Sequence, residues 1–123
     1  MMRCGVDLIE VARVRAAIEA HGDRFVARVF TVGEIAYCTA RRDPFPHYAA
    51  RFALKEAFYK AVPHGTLAAL VWNEAGLVHG PGGAPEIELR GATRDRLRGW
   101  QFSVSVSHTR SLALAQVLAL PPA

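Results

Sequence analysis

With 123 residues, 51% of them hydrophobic and 21% charged, the chain is sized for a single domain over 1–123 whose core needs no disulfide or structural metal. A net charge of +4 and a pI near 9.6 favour an acidic partner (nucleic acid, nucleotide or acidic protein) without choosing among them. No apolar run reaches the roughly 20 residues that span a bilayer, and Asp7, Glu10 and Arg13 break up any signal-like stretch. Cys4 and Cys38 lack metal-ligand spacing, so a reduced, cytoplasmic protein is expected.

Residues 2–7 form a short apolar run ending on Asp7 and predict a strand. Val11, Val14 and Ile18 recur on one helical face, predicting a helix over 9–20 with Gly22 as its stop. A short helical segment follows around Phe25, Val26 and Val29. Thr31 and Glu34 stand at capping-box spacing, so a further helix is expected over 32–42. Asp43-Pro44-Phe45-Pro46 interrupts the chain. Residues 47–62, rich in Ala, Leu, Lys and Glu, predict a helix that Pro63 ends. The second half changes character. Leu67–Trp72 reads as an apolar strand, Gly80–Gly83 as a turn, Glu86–Leu89 as a half-buried strand and 92–98 as a short helix. Gln101–Ser107 alternates strictly, and Leu112–Leu120 is a last apolar strand. Helices first and an antiparallel meander later define an α+β class.

The candidate chemistry is carried by Asp7, in Gly5-Val6-Asp7, and by Glu56 and Lys60 on the 47–62 helix. Two carboxylates and a lysine suit a hard cation and a phosphate, because Mg2+ takes one or two protein carboxylates and completes its shell with water and phosphate oxygens. Glu56 and Lys60 lie about 40° apart on the helix, a spacing equally served by a solvated ion pair. Phe52 shares their face, whereas Ala50, Leu54, Ala57, Phe58 and Ala61 form the core side. Asp7-Leu8-Ile9-Glu10 also has the form of a capping box, which would make Asp7 a helix cap. His108, after the alternating strand, reads either as a structural histidine or, with Thr109, as a phosphate contact. Arg13, Arg24 and Arg28 read either as a solvated basic face or as a docking patch for an acidic helix. Walker A, GxGxxG and Gly-x-Ser-x-Gly motifs are absent.

Gly5-x-Asp7, followed after 47 residues by Lys55-Glu56-Ala57-x-x-Lys60, resembles the two-part signature of 4'-phosphopantetheinyl transferases. Asp7-Leu8-Ile9-Glu10, Phe30-Thr31, Ala50-Arg51-Phe52-Ala53 and Ser105-x-Ser107-His108-Thr109 narrow the likeness to the holo-(acyl carrier protein) synthase type. The resemblance implies transfer of the 4'-phosphopantetheine arm of coenzyme A to a serine of apo-acyl carrier protein, in fatty acid biosynthesis, with release of adenosine 3',5'-bisphosphate. It implies Mg2+ on Asp7 and Glu56, with Lys60 at the pyrophosphate. Coenzyme A would further be bound by Arg51, Gly65, Pro85, His108 and Thr109. Arg13, Arg24, Phe25 and Arg28 would dock the acidic carrier protein. It also implies a homotrimer with active sites between subunits, and no nucleic acid or membrane partner. The chain departs from the family's pattern at Arg3, at Val62-Pro63-His64-Gly65-Thr66 and at Ala84; the last two bear on phosphate contacts, and none touches the three central residues.

Other readings are weaker. A Mg2+ nuclease places its lysine two residues after an acid, whereas Lys60 is four after Glu56. A nucleic-acid module would interleave aromatics with Lys and Arg on a strand face, where Gln101–Ser107 carries serines.

Overall fold

The apolar start of the chain forms a longer strand than its pattern marks: β1 runs Arg3–Glu10 in the computed structural model, which describes residues 1–123. Three helices follow: α1 (Val11–Val29), α2 (Val32–Thr39) and α3 (Phe45–Ala61). Next come β2 (Ala75–His79), β3 (Pro85–Leu89), α4 (Gly91–Arg96), β4 (Gln101–His108) and β5 (Leu112–Leu120). The expected α+β class holds. β1, β5 and β4 make an antiparallel sheet in that order, and β2 pairs with β3 in a separate hairpin.

Register decides which side chains face the helices. Gly5, Asp7 and Ile9 of β1 stand opposite Val117, Ala115 and Ala113 of β5, all three of which are completely buried. Side chains opposite one another share a face of the sheet, so Asp7 belongs to the face on which α3 lies. The other face carries Val6, Leu8, Leu112, Leu114 and Leu120, all exposed, beside the exposed serines Ser103, Ser105 and Ser107 of β4. The core lies between α3 and the sheet, built on Leu54, Ala57, Phe58 and Val117. A second apolar cluster, with Val14, Val29, Phe30 and Tyr48, packs α1 against α3. No helix is long and apolar enough to cross a membrane.

Several expectations change on contact with the fold. The N-cap of helix α1 is Glu10, which makes no side-chain cap bond, so Asp7 is not a helix cap: it sits inside a strand, three residues too early. Gly22 adopts φ 67°, ψ −154° within α1. It breaks the helix where a stop was expected, and the helical segment around Phe25 follows it. Helix α3 begins two residues earlier than expected, since Pro46 is tolerated in its first turn and the Asp43 carboxylate accepts the Phe45 N–H at 3.2 Å. Leu67–Trp72 is not a strand. The segment bends into a 3-10 turn at Trp72–Glu74, with Leu67 buried in the core and Trp72 stacked on Phe52 at 4.8 Å. A continuous apolar run signals burial but not the backbone form that achieves it.

Candidate active site

Close approach of β1 to α3 builds the site, and glycine permits it. A Cβ on Gly5 would collide with the Ala57 carbonyl oxygen and come within 2.9 Å of the Ala61 nitrogen. Two residues along, on the same face, Asp7 therefore stands against the last turns of α3, where Glu56 and Lys60 project. The Lys60 ammonium donates to the Asp7 carboxylate at 3.1 Å and to the Val6 carbonyl at 3.1 Å. Of the two readings of the Glu56–Lys60 spacing, the solvated ion pair does not form: Lys60 pairs with Asp7, between elements. Glu56 is half-buried, and its carboxyl is held above the usual carboxylate range, first by burial and then by the like charge of Asp7, with Lys60 opposing both. Arg3, on the same strand face, donates to the Ala61 carbonyl at 3.0 Å and so ties β1 to the end of α3. With Tyr59, Lys60, His64 and Gly65 it lines a cleft of about 260 Å3 beside the acidic pair.

A second group gathers on another side of α3. Arg51 precedes Glu56 by five residues, which is about 140° around the helix and about 7.5 Å along it. Its side chain is buried, donates to the His47 carbonyl at 3.2 Å and leaves Nε without a partner. Its guanidinium lies over Tyr37, 4.1 Å from the ring centroid. His108, exposed at the end of β4, meets His47 edge-on at 4.9 Å. Thr109 builds the β4–β5 turn: its hydroxyl accepts the Ser111 and Leu112 N–H groups at 3.3 and 3.1 Å. Pro85 opens β3 opposite His79, whose ring packs on Tyr37 at 5.1 Å. Asp7, Glu56 and Lys60, with Gly65 beside Lys60, thus form one group, and Arg51, His108, Thr109 and Pro85 gather elsewhere; no hydrogen bond or ion pair joins the two sets.

The basic residues of α1 flank two grooves, the first of them mainly apolar. Arg13 and Phe25 line one of about 200 Å3 with Ile9, Val14, Ala17 and Phe52. Arg24, Arg28 and Phe25 line a neighbouring one of about 630 Å3.

Two features were not foreseen. Lys55 and Glu34 form a fully buried ion pair at 2.6 Å. Nothing in the local pattern marks it, because Glu34 reads as an ordinary capping glutamate and Lys55 as a surface lysine. His47 is the other; its place four residues before Arg51, on the same helical face, was the available signal.

The model of the 4'-phosphopantetheinyl transferase superfamily matches residues 3–117. The holo-[acyl-carrier-protein] synthase of Koribacter versatilis is 37% identical over 117 residues, covering 93% of this chain and 94% of the relative. That of Desulforudis audaxviator is 40% identical over 123 residues, covering 96% and 92%. Among solved structures, the Neisseria meningitidis holo-[acyl-carrier-protein] synthase superposes with a TM-score of 0.85 at 30% identity, covering 96% of this chain and 97% of that one. The Helicobacter pylori synthase, solved in complex with coenzyme A, gives 0.80 at 29% identity, covering 95% and 99%. The chain belongs to the 4'-phosphopantetheinyl transferase superfamily, within its holo-[acyl-carrier-protein] synthase group.

Proposed function

We propose that this chain, as one transferase domain over 1–123, moves the 4'-phosphopantetheine arm of coenzyme A to a serine of an acidic apo-acyl carrier protein, releasing adenosine 3',5'-bisphosphate, with Mg2+ and in fatty acid biosynthesis. The observation that carries this reading is the convergence of Asp7, Glu56 and Lys60 from two elements onto one point. In the step, the carrier serine oxygen bonds to the phosphorus of the pantetheine phosphate. The bond from that phosphorus to the bridging oxygen of the pyrophosphate breaks, that oxygen departs on adenosine 3',5'-bisphosphate, and the serine proton passes to solvent water. The nucleophile belongs to the partner, which accounts for the missing serine and cysteine motifs.

The donor set fits Mg2+. Asp7 and Glu56 are two oxygen donors, close enough that the charge of Asp7 disfavours ionisation of Glu56, an effect that Lys60 only partly offsets. Asp7 and Glu56 would hold the ion, which when bound supplies charge neutralisation and orientation for the pyrophosphate. Lys60 uses two donors on Asp7 and Val6, and its half-exposed ammonium has a third for a phosphate oxygen. Arg3 and the turn at Gly65 bound the adjoining cleft, in which the departing phosphate is accommodated. Arg51, His108, Thr109 and Pro85 hold the nucleotide end. The Arg13, Arg24, Phe25 and Arg28 surface receives the acidic carrier helix, apolar groove and cationic rim together.

Homotrimeric assembly is supported by two features. The sheet leaves Val6, Leu8 and Leu114 about half exposed (52%, 62% and 42%) on one contiguous face. The two groups of substrate-binding residues also lie on different sides of one chain, as an active site shared between neighbours requires. The two unpaired thiols, Cys4 and Cys38, support action in the cytoplasm.

The test is intact mass measurement of an apo-acyl carrier protein incubated with this protein, coenzyme A and Mg2+, with EDTA in a parallel sample. A gain of one phosphopantetheine, lost with EDTA, is expected. Asp7→Asn and Glu56→Gln should retain the fold while slowing the transfer by at least about 100-fold. Full activity in a folded variant would remove that residue from the metal site.

A further inference from the structure

His47 occupies a position with an excess of positive charge. It projects from α3 on the same face as Arg51, one turn away. It meets His108 of β4 at 4.9 Å and Tyr37 of α2 at 5.8 Å, both edge-on. Arg41 and Arg51 both lie over the Tyr37 ring, at 3.9 and 4.1 Å. Asp43, between α2 and α3, is the one carboxylate that acts on it, and His79 of β2 stands behind Tyr37. The cluster therefore gathers two guanidiniums and three imidazoles around a single acid. It also contains an unmet donor, the buried Nε of Arg51. What it lacks is a doubly charged anion.

We propose that His47, with His108 and Arg51, grips the 3'-phosphate of coenzyme A and takes up one proton from solvent as that phosphate binds. This rests on the reading of Arg51 and His108 as contacts to the nucleotide end. Chemistry selects the 3'-phosphate: it is the only monoester on coenzyme A and so the only phosphate there that reaches two negative charges near neutral pH. In the free protein His47 is held below its ordinary value of 6.5, by burial first, then by His108, Arg51 and Arg41, with Asp43 opposing. Its neutral form is therefore favoured in the free protein. A dianion among the same groups reverses the local field and favours the imidazolium. The ring changes from neutral to a double N–H donor, and the proton comes from the buffer. The sign follows: a group whose affinity for protons rises on binding makes the complex tighter at lower pH. Affinity then weakens, by up to about tenfold per pH unit, as pH rises through the value His47 has in the complex.

The experiment is calorimetric titration of coenzyme A into the whole protein between pH 7 and 8.5, above the second ionisation of a phosphate monoester at about pH 6, in two buffers of different ionisation enthalpy. Dephospho-coenzyme A, which lacks the 3'-phosphate, is titrated in parallel. Proton uptake with coenzyme A, its absence with dephospho-coenzyme A, and its loss in both His47→Phe and His47→Gln are expected. The variants should also bind coenzyme A several-fold more weakly at pH 7, with a flatter pH profile. Phe preserves the edge-on packing and Gln preserves a polar group, so a defect common to both reports the lost proton. Coenzyme A binding with the same proton count and pH profile in the wild type and either folded variant would overturn the inference alone. No binding of coenzyme A to the wild type would overturn the functional reading beneath it as well.

Discussion

Gly5 is the residue on which the geometry of the site turns. Its missing side chain sets the distance between β1 and α3, and that distance brings Asp7 to Lys60. Gly5→Ala must push backbone against backbone, and its expected cost is about 1–3 kcal/mol, as for overpacked cores. Urea unfolding checks it, and an unchanged midpoint would refute the close-approach argument. Glu74 makes a pH prediction. Its carboxylate accepts from the Thr93 hydroxyl at 2.7 Å and from the Thr93 N–H at 3.1 Å, which hold it below its usual value of 4.5, the hydroxyl bond first. A depressed carboxyl contributes stability that is complete above the unfolded-state value and lost as pH falls through the folded-state value. The melting temperature of the wild type should therefore exceed that of Glu74→Ala at pH 7. The gap should close below pH 4.5, and a constant gap would count against it. Cys38, buried and pushed up to about 12 chiefly by burial, is a packing residue rather than a reactive thiol.

Among the elements, α2, α3 and β2 are held together by one buried ion pair. Glu34 accepts from the Thr31 N–H at 3.0 Å and the Leu77 N–H at 3.0 Å, and pairs with Lys55 at 2.6 Å. Lys55 also donates to the Ala75 carbonyl. The Thr31–Glu34 capping box therefore does more than begin a helix: its glutamate reaches from α2 to α3 and to β2. Burial lowers the proton affinity of Lys55 and Glu34 opposes that effect. Removing the lysine leaves Glu34 buried without its counter-ion, which costs more than the pair itself contributes. Lys55→Met should destabilise the protein by roughly 3–5 kcal/mol, measured by equilibrium denaturation. A loss below about 1 kcal/mol would show that the pair is dispensable.

At the scale of the whole molecule, one face of the sheet is left uncovered. β1 and β5 present Val6, Leu8, Leu112 and Leu114 to solvent, more contiguous apolar surface than isolated exposed residues explain. Leu8→Asp places a charge on that face without touching Asp7, Glu56 or Lys60. The expected result in light scattering is a fall from three chain masses to one, with loss of transfer activity. A wild type that is already monomeric and active would rule out the shared active site.

Much of this protein is local and so legible in its residues. The alternation of Gln101–Ser107, the Thr31–Glu34 capping box and the stop at Gly22 each depend on neighbours a few positions away. The Gly5-x-Asp7 and Lys55-Glu56-Ala57-x-x-Lys60 motifs identify the family because order and spacing survive in one dimension. What one dimension cannot hold is which groups meet. Lys60 bonds to Asp7, 53 positions away, rather than to Glu56, because an exposed pair one helical turn apart contributes only about 0.3–0.5 kcal/mol. Leu67–Trp72 has the composition of a strand but no partner strand, so its apolar side chains reach the core from an irregular backbone. Lys55 looks like any helical lysine until Glu34 is found opposite it. Residue type and spacing determined the family, most of the elements and the site's candidates; tertiary structure decided partners, burial and the backbone form of Leu67–Trp72, because these depend on contacts between segments distant in the chain.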